Sequence, residues 1–421
     1  MMHRVVISGI GWRTSLGPDA PSTWRRLLEG ESGIAPISFW DPAEYSAKVA
    51  AEVREVPVET GLAGVPASAC RRGVRLFLPV VQEAFGDAKL DQVSLPPAQI
   101  GIAAGASVNY LNMSLLRLYY KLRRPDMSLD VARLLREGAT SQDAFYRGLG
   151  DMMVSIPARR FQLAGPAMVL DTACAASAHA IGQAFRLVQR GRVRAMIAGG
   201  SAALVSPLSI LAFSLLGALS RRANPNEASR PFDRLRDGFV MGEGAGAVVL
   251  ESLESARERG ARIYAEVAGY GSTLNSHNLT DPSPDGCVEA RAISQALDEA
   301  RLPPEEIGFV AAHGTSTPKN DVVETMALKQ VFGAHAKRLL VSSNKGQIGH
   351  TISAAGVSNL ICAVKAIAEG MVPPTMNLKN FDPACDLDYV ANRSRRTAVR
   401  AALANAFAFG GQNAVLAVKS V

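Results

Sequence analysis

Two stretches of the chain repeat one succession of hydrophobic and polar positions. Each has the period of an amphipathic helix, followed by Leu-Pro-Pro and a run of small apolar residues; the two strings begin at Leu95 and Leu302, 207 residues apart. The helical patterns lie at 76–88 and 289–300. Helices that alternate with buried strands predict an α/β fold with mainly parallel sheets, covered by helices on both faces.

A second, shorter echo lies at the start of each half of the chain. The apolar, glycine-containing run at 6–11 is matched by the run at 267–271. Two copies of one α/β unit are the economical interpretation, with chance similarity of short strings as the alternative. We predict an N-terminal half over 1–255 and a C-terminal half over 256–421. Because no proline-rich or serine-rich linker separates them, they should share one core.

Two long stretches without charged side chains could be mistaken for membrane spans. The first, 195–220, contains a Gly-Gly pair, Pro207 and several serines, which would leave the backbone of a spanning helix unsatisfied in lipid. The second, 401–418, is interrupted by the polar string at 410–413. We predict a buried strand, a turn and a buried helix for the first stretch, and a membrane span in neither.

Composition narrows the class of protein. A chain of 421 residues that is 48% hydrophobic and 20% charged can bury a large core, which excludes disordered, collagen-like and coiled-coil proteins. Lys and Arg number 45 against 38 Asp and Glu, and the net charge of +7 hints at an acidic partner. No recognised nucleic-acid-binding motif accompanies this charge, so we expect no nucleic-acid partner.

The cysteines and the N-terminal residues indicate a reducing compartment. Five cysteines are scattered along the chain without a Cys-x-x-Cys pair, which argues against a disulfide framework and against a structural zinc site. The chain enters a predicted strand at once, with no charged and apolar regions typical of a signal peptide. We expect a cytoplasmic protein with no resident metal.

One cysteine has the setting of a nucleophile. The segment 169–184 predicts a strand that breaks into an alanine-rich helix, with Cys174 at the turn. The positive end of the helix dipole is expected to lower the pKa of this thiol and favour the thiolate. On this local pattern alone, a small buried residue packed against a sheet is an equal alternative.

Two histidines favour a nucleophilic role for Cys174 over a structural one. His313 and His350 each lie where a predicted buried strand runs out into a glycine-containing segment, the usual place for active-site groups in parallel sheets. The chain has only six histidines. One histidine is usually structural, but two so placed favour a catalytic site that uses Cys174 as its nucleophile.

At this point the chain resembles a known family, the thiolase-fold condensing enzymes, and within it the β-ketoacyl-acyl carrier protein synthases of the type II class. These are fatty acid or type II polyketide ketosynthases. The resemblance covers essentially the whole chain, and its duplicated α/β architecture accounts for the internal echoes. The motifs that carry it are Asp171-Thr172-Ala173-Cys174, His313-Gly314-Thr315-Ser316-Thr317-Pro318 with Asp321 and Glu324, Asn344-Lys345, Gly349-His350 and Phe409-Gly410-Gly411-Gln412-Asn413.

The resemblance implies a role for each residue. Cys174 becomes acylated, and its backbone N–H forms the oxyanion hole with that of the gate residue Phe409, in the loop 407–413. His313 and His350 stabilise the enolate formed when a malonyl thioester loses carbon dioxide. Other implied roles are Lys345 with Glu324 and Asp321 as groups that orient the site, direct base catalysis by Lys345 being the alternative, and Thr315 and Thr317 as contacts of the phosphopantetheine arm.

The resemblance also implies partners. An acyl carrier protein delivers the acyl and malonyl thioesters and supplies the phosphopantetheine arm, so the chain needs no cofactor of its own. Arg71 and Arg72 lie at the family's docking position for this acidic protein, whereas Gly217 stands where an arginine is common. The stretch 195–220 resembles the region that pairs subunits, which implies a homodimer or a heterodimer with a ketosynthase-like partner. Basic residues that could compensate for Gly217 are Arg123, Arg124, Arg221 and Arg222.

Other functions stay open at this point. A non-catalytic partner subunit of the chain-length-factor type resembles these synthases throughout but lacks the active cysteine. A coenzyme A thiolase or a synthase of the type III class is disfavoured by the paired histidines. The glycine cluster at 242–246 precedes a predicted strand and opens no helix, so it indicates close backbone packing in preference to nucleotide binding.

The chain departs from the family pattern in two places. Ala408 stands where glycine is usual and Gln412 where threonine is usual, and alanine adopts positive φ less easily, so we expect altered gating. The stretch 107–158 is longer and more basic than usual, and its helical segments at 114–122 and 130–135 are predicted to cap the acyl pocket, with a surface excursion as the alternative. The side chains expected to set acyl length are Tyr110, Leu111, Met113 and Leu116.

Overall fold

Runs of small and β-branched apolar residues form a ten-stranded sheet at the centre of the molecule. The structure is a computed structural model and describes residues 2–56, 70–93, 95–107, 113–136 and 150–421. The strands are Val5–Thr14 (β1), Ala35–Pro36 (β2), Val49–Ala50 (β3), Ile100–Ala106 (β4), Ala167–Leu170 (β5), Ala195–Ala202 (β6), Gly244–Ser252 (β7), Ala265–Leu274 (β8), Ile307–Ala311 (β9), Leu340–Ser342 (β10), Met371–Val372 (β11), Arg395–Arg396 (β12), Ala401–Phe407 (β13) and Gln412–Lys419 (β14).

The sheet is built twice over. Its strand order is β10-β9-β13-β14-β8-β1-β7-β6-β4-β5, so β8 in one half corresponds to β1 in the other, and each further strand outwards has a counterpart. Strands run parallel towards both edges and antiparallel across the middle, where β1 pairs with β8. The expected parallel arrangement therefore holds for the outer strands.

The echoes in the sequence fall on corresponding elements. Leu95 and Leu302 each precede a short 3-10 turn, Pro97–Gln99 and Pro304–Glu306, that leads into β4 and β9. The runs at 6–11 and 267–271 lie in the paired strands β1 and β8. The prediction of a duplicated, thiolase-like α/β fold is confirmed, and chance similarity does not account for the echoes.

Helices cover the sheet and also pass through the middle of the molecule. They are Ala20–Leu28 (α1), Arg72–Asp87 (α2), Met113–Leu122 (α3), Val131–Arg136 (α4), Met152–Arg160 (α5), Ala176–Gln189 (α6), Pro207–Leu215 (α7), Pro225–Ala228 (α8), Leu253–Glu258 (α9), Cys287–Ala300 (α10), Pro318–Phe332 (α11), Lys345–Ile348 (α12) and Ala355–Glu369 (α13). The counterparts α6 and α13 pack against each other and contact strands of both halves. A Cβ on Gly356 would lie 2.7 Å from that of Ala178, so only glycine permits this approach.

One helical stretch, Ile352–Glu369, is long and apolar enough to cross a membrane by length and composition alone. Its mean hydropathy is 1.4, but 78% of it is buried inside the molecule. Because this stretch includes α13 in the contact between the two halves, its apolar character is that of a core helix.

The stretch 195–220 forms the predicted strand and turn, but the expectation of a buried helix is wrong. In α7, Leu211 is exposed and Leu215 is 81% exposed, and Leu216, just beyond the helix, is also exposed. No element in the described part of this chain covers that face, which leaves an apolar surface. The stretch 401–418 forms the hairpin of β13 and β14 and spans nothing.

Two smaller predictions can be compared with the structure. The helices α3 and α4 confirm the helical segments expected near 114–122 and 130–135. Tyr110 and Leu111 lie outside the described residues, and of Met113 and Leu116 only the place in a helix is described, so their influence on acyl length stays a prediction. The cluster at 242–246 leads into β7, and a Cβ on Gly242 would lie 2.3 Å from the carbonyl oxygen of Ile348, which confirms close packing.

Candidate active site

Cys174 lies in a strained turn between β5 and α6. A 3-10 turn, Ala173–Ala175, connects the strand to the helix, and Ala173 has a φ of 46°, which is unusual for a residue with a Cβ. Cys174 is 4% exposed, and its thiol faces the other half of the molecule. Such strain concentrates at functional sites, where the surrounding packing holds it in place.

Two histidines from the C-terminal half meet this thiol. His350 Nε2 lies 3.0 Å from Cys174 Sγ, and the rings of His313 and His350 pack edge to face with their centroids 5.3 Å apart. His313 follows β9, and His350 follows α12 just after β10, so neighbouring parallel strands deliver both imidazoles to one end of the sheet. The structure thus brings together the three residues on which the predicted site depends.

The thiol is neutral in this environment. Burial raises the pKa of Cys174 to about 11, although the charge of Lys345 and the backbone N–H groups of Phe409 and Cys174 act in the opposite direction. The expectation of a lowered pKa is therefore wrong, because removal of the sulfur from water outweighs the favourable charges around it. A thiolate must form by transfer of the proton to a neighbouring base.

Both histidines are also neutral. Burial holds the pKa of His313 and His350 well below the ordinary value, and the charge of Lys345 lowers it further. Within the described ranges, the Nδ1 atom of each ring has no hydrogen-bond partner. Either neutral tautomer is therefore available without loss of a bond, and each ring can accept or donate at Nε2.

Lys345 and Glu324 fix the backbone of His313. The Lys345 ammonium donates to the carbonyl oxygen of His313 at 2.5 Å, and the Glu324 carboxylate accepts the N–H groups of His313 and Gly314 at 2.8 and 2.7 Å. Burial lowers the pKa of Lys345 to about 8, opposed chiefly by the charge of Glu324. The two side chains therefore set the direction in which the imidazole points.

Asp321 does the same for the next turn. Its carboxylate accepts the backbone N–H groups of Thr315 and Ser316, at 3.0 and 3.2 Å. The hydroxyls of Thr315 and Thr317 lie 2.8 Å apart, and both residues line the cavity that leads to Cys174. The threonines predicted to contact the arm are thus held in the lining of the cavity.

The loop 407–413 also lines the cavity of Cys174. The pKa effect of its Phe409 N–H on the thiol places that donor beside Cys174 Sγ, and the Phe409 ring stacks on that of Phe213 at 6.4 Å. Ala408 has an extended backbone with a φ of −115°, so the alanine causes no strain here. Positive φ falls on Gly410 and Gly411 instead.

These groups surround one cavity of about 280 Å³. Its lining includes the polar residues Thr315 and Thr317 and the apolar residues Leu216, Ala218 and Phe239. The ligand atoms of the Cys-His-His cluster lie within 4.8 Å of one another, close enough to hold a zinc ion. We nevertheless expect no resident metal, because a ligated thiolate could not carry an acyl group.

The two arginines of the predicted docking site differ. Arg72 donates to the buried carboxylate of Glu243 at 2.6 and 2.7 Å and also bonds the carbonyl oxygen of Val53. Arg71 occupies the N-cap position of α2 without a capping hydrogen bond from its side chain, and its partial burial lowers its pKa. Charge reversal at Arg72 would break an internal ion pair, which makes Arg72 a poor position for a test of docking.

Sequence reasoning missed two asparagines behind the site. Asn405, in β13, donates to Glu324 at 3.0 Å, and Asn359, in α13, donates to the carbonyl oxygens of Ala312 and Asn405. The signal that could have found them is a polar residue inside an otherwise apolar strand or helix, since such a residue needs a buried partner.

Most of the chain matches models of one family. The N-terminal domain of β-ketoacyl synthase matches residues 2–256, and the C-terminal domain matches residues 264–379. This chain belongs to the β-ketoacyl synthase family. It is a condensing enzyme and an acyltransferase, and the presence of Cys174 with both histidines separates it from a partner subunit that lacks the nucleophile.

Similar proteins agree over their full length. A 3-oxoacyl-[acyl-carrier-protein] synthase 2 of Synechocystis sp. is 42% identical over 419 residues, which cover 99% of this chain and 98% of that protein. The enzyme of the same name from Staphylococcus aureus (strain COL) is 38% identical with the same coverage, and that of Coxiella burnetii is 35% identical over 425 residues, covering 100% of this chain and 99% of that protein.

Solved structures agree as well. A type II polyketide ketosynthase, AntDE, in complex with its acyl-carrier protein AntF and bound to the hexaketide, superimposes with a TM-score of 0.90 at 30% identity, with both chains fully covered. The ishigamide ketosynthase/chain length factor gives 0.88 at 32% identity, again with full coverage of both chains. A β-ketoacyl synthase from Burkholderia phymatum gives 0.86 at 30% identity and full coverage. The predicted family and fold of this synthase are confirmed.

Proposed function

We propose that this synthase elongates acyl chains by decarboxylative Claisen condensation of an acyl group on Cys174 with a malonyl thioester, in fatty acid or polyketide synthesis. The observation that carries the proposal is the 3.0 Å distance between Cys174 Sγ and His350 Nε2 in a cavity that His313 also lines. A nucleophile and two neutral imidazoles thereby reach one point, as the three steps of the reaction require.

The first step is acyl transfer. The Cys174 proton moves to His350 Nε2 while the sulfur attacks the thioester carbonyl, and the C–S bond to the carrier then breaks as its thiol takes the proton back. The N–H groups of Cys174 and Phe409 stabilise the oxyanion, and loss of one such donor typically costs about 10²–10³ in rate. This proton transfer replaces the preformed thiolate that the buried site disfavours.

The second and third steps are decarboxylation and condensation. Acylated Cys174 has no proton to give, so His350 can present Nε2–H beside His313 to the oxygen of a malonyl thioester. Carbon dioxide leaves, its bonding electrons pass into the enolate, and the enolate carbon attacks the acyl carbonyl. Cys174 departs as thiolate and takes up one proton from solvent, which replaces the proton that left with the carrier thiol in the first step. Neutral imidazoles suit this work, because they donate without holding a charge in the buried site.

The remaining polar residues position these groups. Lys345 and Glu324 orient His313 through its backbone, and Asp321 orients the threonine turn. We assign Thr315 and Thr317 to the phosphopantetheine arm, since both residues line the cavity of Cys174 and their hydroxyls lie 2.8 Å apart. The arm arrives on the acyl carrier protein, so the enzyme needs no cofactor of its own.

Mass spectrometry tests the nucleophile and the chemistry together. After incubation with an acyl-carrier protein, the acyl mass should appear on the peptide that contains Cys174, and addition of malonyl-carrier protein should release carbon dioxide and extended product. Cys174→Ala should lose the acyl group yet still release carbon dioxide, whereas His350→Ala should lose most decarboxylation, by about 10²-fold or more. Acylation of the exposed Cys287 in its place would contradict the assignment.

The carrier protein is an acidic partner in our proposal, and Arg71 is part of its docking site. Arg71→Glu should raise the KM for acyl-carrier protein several-fold, more at low salt, and leave the reaction of a small acyl thioester unchanged. Arg72→Glu is the comparison variant, because it breaks the pair with Glu243 and should lower activity on both substrates alike. An equal loss on both substrates for Arg71→Glu would contradict docking.

We also propose a dimeric, cytoplasmic protein. The exposed leucines of α7 form an apolar surface of the kind that subunit interfaces cover, and a similar solved protein is a ketosynthase/chain length factor. A second copy of this chain or a ketosynthase-like partner would fit. Sedimentation at micromolar concentration that showed only the 44.5 kDa species would exclude the homodimer.

A further inference from the structure

One histidine close to the active site takes no part in the proposed reaction. His179 lies in α6, the helix that follows the turn of Cys174, and it is 7% exposed. Burial lowers the pKa of its imidazole, so the ring is neutral. A neutral imidazole has one nitrogen that donates and one that accepts. The partners of these two nitrogens show what the ring holds together.

The two nitrogens of His179 bond segments from the two halves of the molecule. Nδ1 lies 2.7 Å from the hydroxyl oxygen of Thr172. Nε2 lies 3.4 Å from the carbonyl oxygen of Asn413, at the long end of the hydrogen-bonding range. Because a carbonyl oxygen only accepts, Nε2 carries the proton and Nδ1 accepts from Thr172. The Ser272 hydroxyl, 3.3 Å from Nε2, can share that proton.

Each of these two segments also supports one donor of the proposed oxyanion hole. Thr172 is the N-cap of the turn that presents the N–H of Cys174. Asn413 lies at the base of the loop 407–413, which presents the N–H of Phe409. The two donors therefore come from different halves of the molecule, and one imidazole is bonded to the support of each.

The other half of the molecule shows that the fold does not require this histidine. The turn Ile352–Ala354 corresponds to the turn of Cys174 and also begins with a residue of positive φ. Ser358 stands there at the position of His179, and its hydroxyl accepts the indole N–H of Trp12 at 3.2 Å. A strained turn of this kind thus forms without an imidazole behind it, so the stability of the turn alone does not explain His179.

We propose that His179 is a positioning residue of the oxyanion hole, which sets the separation between the N–H groups of Cys174 and Phe409 through its bonds to Thr172 and Asn413. The inference rests on the proposed function, in which both N–H groups stabilise the oxyanion of acyl transfer. Loss of one such donor costs about 10²–10³ in rate, and a displaced donor keeps part of its effect, so we expect a loss of about 10–100-fold without His179.

Two reagents that react with the same thiol test the proposal. With p-nitrophenyl hexanoate, the sulfur of Cys174 bonds to the carbonyl carbon through a tetrahedral oxyanion, the C–O bond breaks and nitrophenolate leaves, while the thiol proton passes to solvent by way of His350. Iodoacetamide alkylates the same sulfur by displacement of iodide and forms no oxyanion. The mass of the peptide that contains Cys174 reports the rate of either reaction.

Two variants each keep one of the two bonds. His179→Asn places an amide oxygen near the position of Nδ1, and His179→Gln places an amide N–H near the position of Nε2. Both should slow acylation by about 10–100-fold. Alkylation should slow by no more than about threefold, because the displaced N–H groups lower the pKa of the thiol only against the larger effect of burial.

Matched variants separate this role from a structural one. Thr172→Val removes the hydroxyl that donates to Nδ1 and should slow acylation as His179→Gln does, whereas Thr172→Ser keeps the hydroxyl and should restore most of the rate. Ser358→Ala makes the corresponding change in the other half and should leave both rates within about twofold of wild type. Ser272→Ala removes the other group near Nε2 and should also leave both rates unchanged.

Four outcomes decide between the explanations. Acylation within about twofold of wild type in both His179 variants would overturn the proposal, as would a failure of the ester to acylate wild type. Equal losses of acylation and alkylation would also overturn it, because His179 would then support only the thiol or the fold. If the ester acylates wild type faster than the variants but acyl-carrier protein transfers no acyl group to Cys174, the proposed function fails and the positioning role stands.

Discussion

The turn that carries Cys174 and its copy in the other half share a backbone but differ in chemistry. Ala173 and Ile352 both have positive φ, at 46° and 35°, and each opens a 3-10 turn into a central helix. In the first turn Cys174 faces His350 from the opposite half. In the second, Ser353 is fully buried and donates to the carbonyl oxygen of Ser201 at 2.6 Å.

The difference shows that the strained turn is a scaffold and not itself a catalytic device. Duplication supplied the same turn twice, together with the close contact of α6 and α13. Only the copy that meets two neutral imidazoles, a cavity and the Phe409 N–H became a reactive centre. The other copy uses its side chain to bond one half of the molecule to the other.

Replacement of Cys174 and of Ser353, the central residues of the two turns, by alanine should give the largest difference in activity. Cys174→Ala removes the nucleophile, so acyl transfer should fall by about 10⁴-fold or more. Ser353→Ala removes only one hydrogen bond, which should lower the free energy of unfolding by about 1 kcal/mol and leave kcat within twofold. Steady-state kinetics and urea unfolding measure both; a large loss of kcat in Ser353→Ala would mean that the second turn also serves the reaction.

The charge of Lys345 should make the Cys174 thiol more reactive than that of an ordinary buried cysteine. Below the pKa of about 11 the thiolate fraction of Cys174 rises tenfold per pH unit, and Lys345 lowers that pKa while it is itself charged, below its own pKa of about 8. Lys345→Met should therefore raise the pKa of Cys174 and slow its alkylation by iodoacetamide severalfold near pH 7. The alkylation rate between pH 6.5 and 9 measures this, with Cys287→Ser removing the exposed thiol from the signal.

The alkylation rates of wild type and of Lys345→Met should converge above pH 8, because Lys345 in wild type then loses its charge. If both proteins gave one curve across the whole range, the charge of Lys345 would have no influence on the nucleophile, and its role would be confined to the His313 backbone.

Ala173→Gly should give the smallest effect, and glycine at the corresponding positions should show where the turns store strain. Ala173→Gly relieves the positive φ of a small side chain and should raise the free energy of unfolding by up to about 1 kcal/mol. Ile352→Gly relieves the same strain but removes a buried side chain, so it should lower that free energy by about 2–4 kcal/mol. Ala175, with a φ of −93°, is the control, since Ala175→Gly should destabilise by about 0.5–1 kcal/mol. Destabilisation by Ala173→Gly equal to that of the control would show that the first turn stores no strain.

Much of the architecture could be read from the sequence because it is periodic. The echoes at Leu95 and Leu302 predicted the duplication, and the segments around Cys174, His313 and His350 predicted which strand ends meet. The hydrophobic pattern could not predict how deeply each ionisable side chain is buried. The neutral state of Cys174 depends on desolvation by residues far along the chain, and no local pattern reports it.

Other errors have the same origin. The helix α7 is as apolar as a buried helix, and a sequence cannot tell whether its own chain covers it. The pairing of Arg72 with the buried carboxylate of Glu243 links residues that are distant in sequence, so the sequence alone could not show that Arg72 is part of an internal ion pair.

Leu216 belongs both to the outer surface beside α7 and to the wall of the cavity around Cys174. A neighbouring subunit that bound this face would therefore form part of the wall of the cavity that limits the length of the growing chain. The length of the product would then depend on both subunits. Exchange of the partner's gene could change that length without a substitution in this polypeptide.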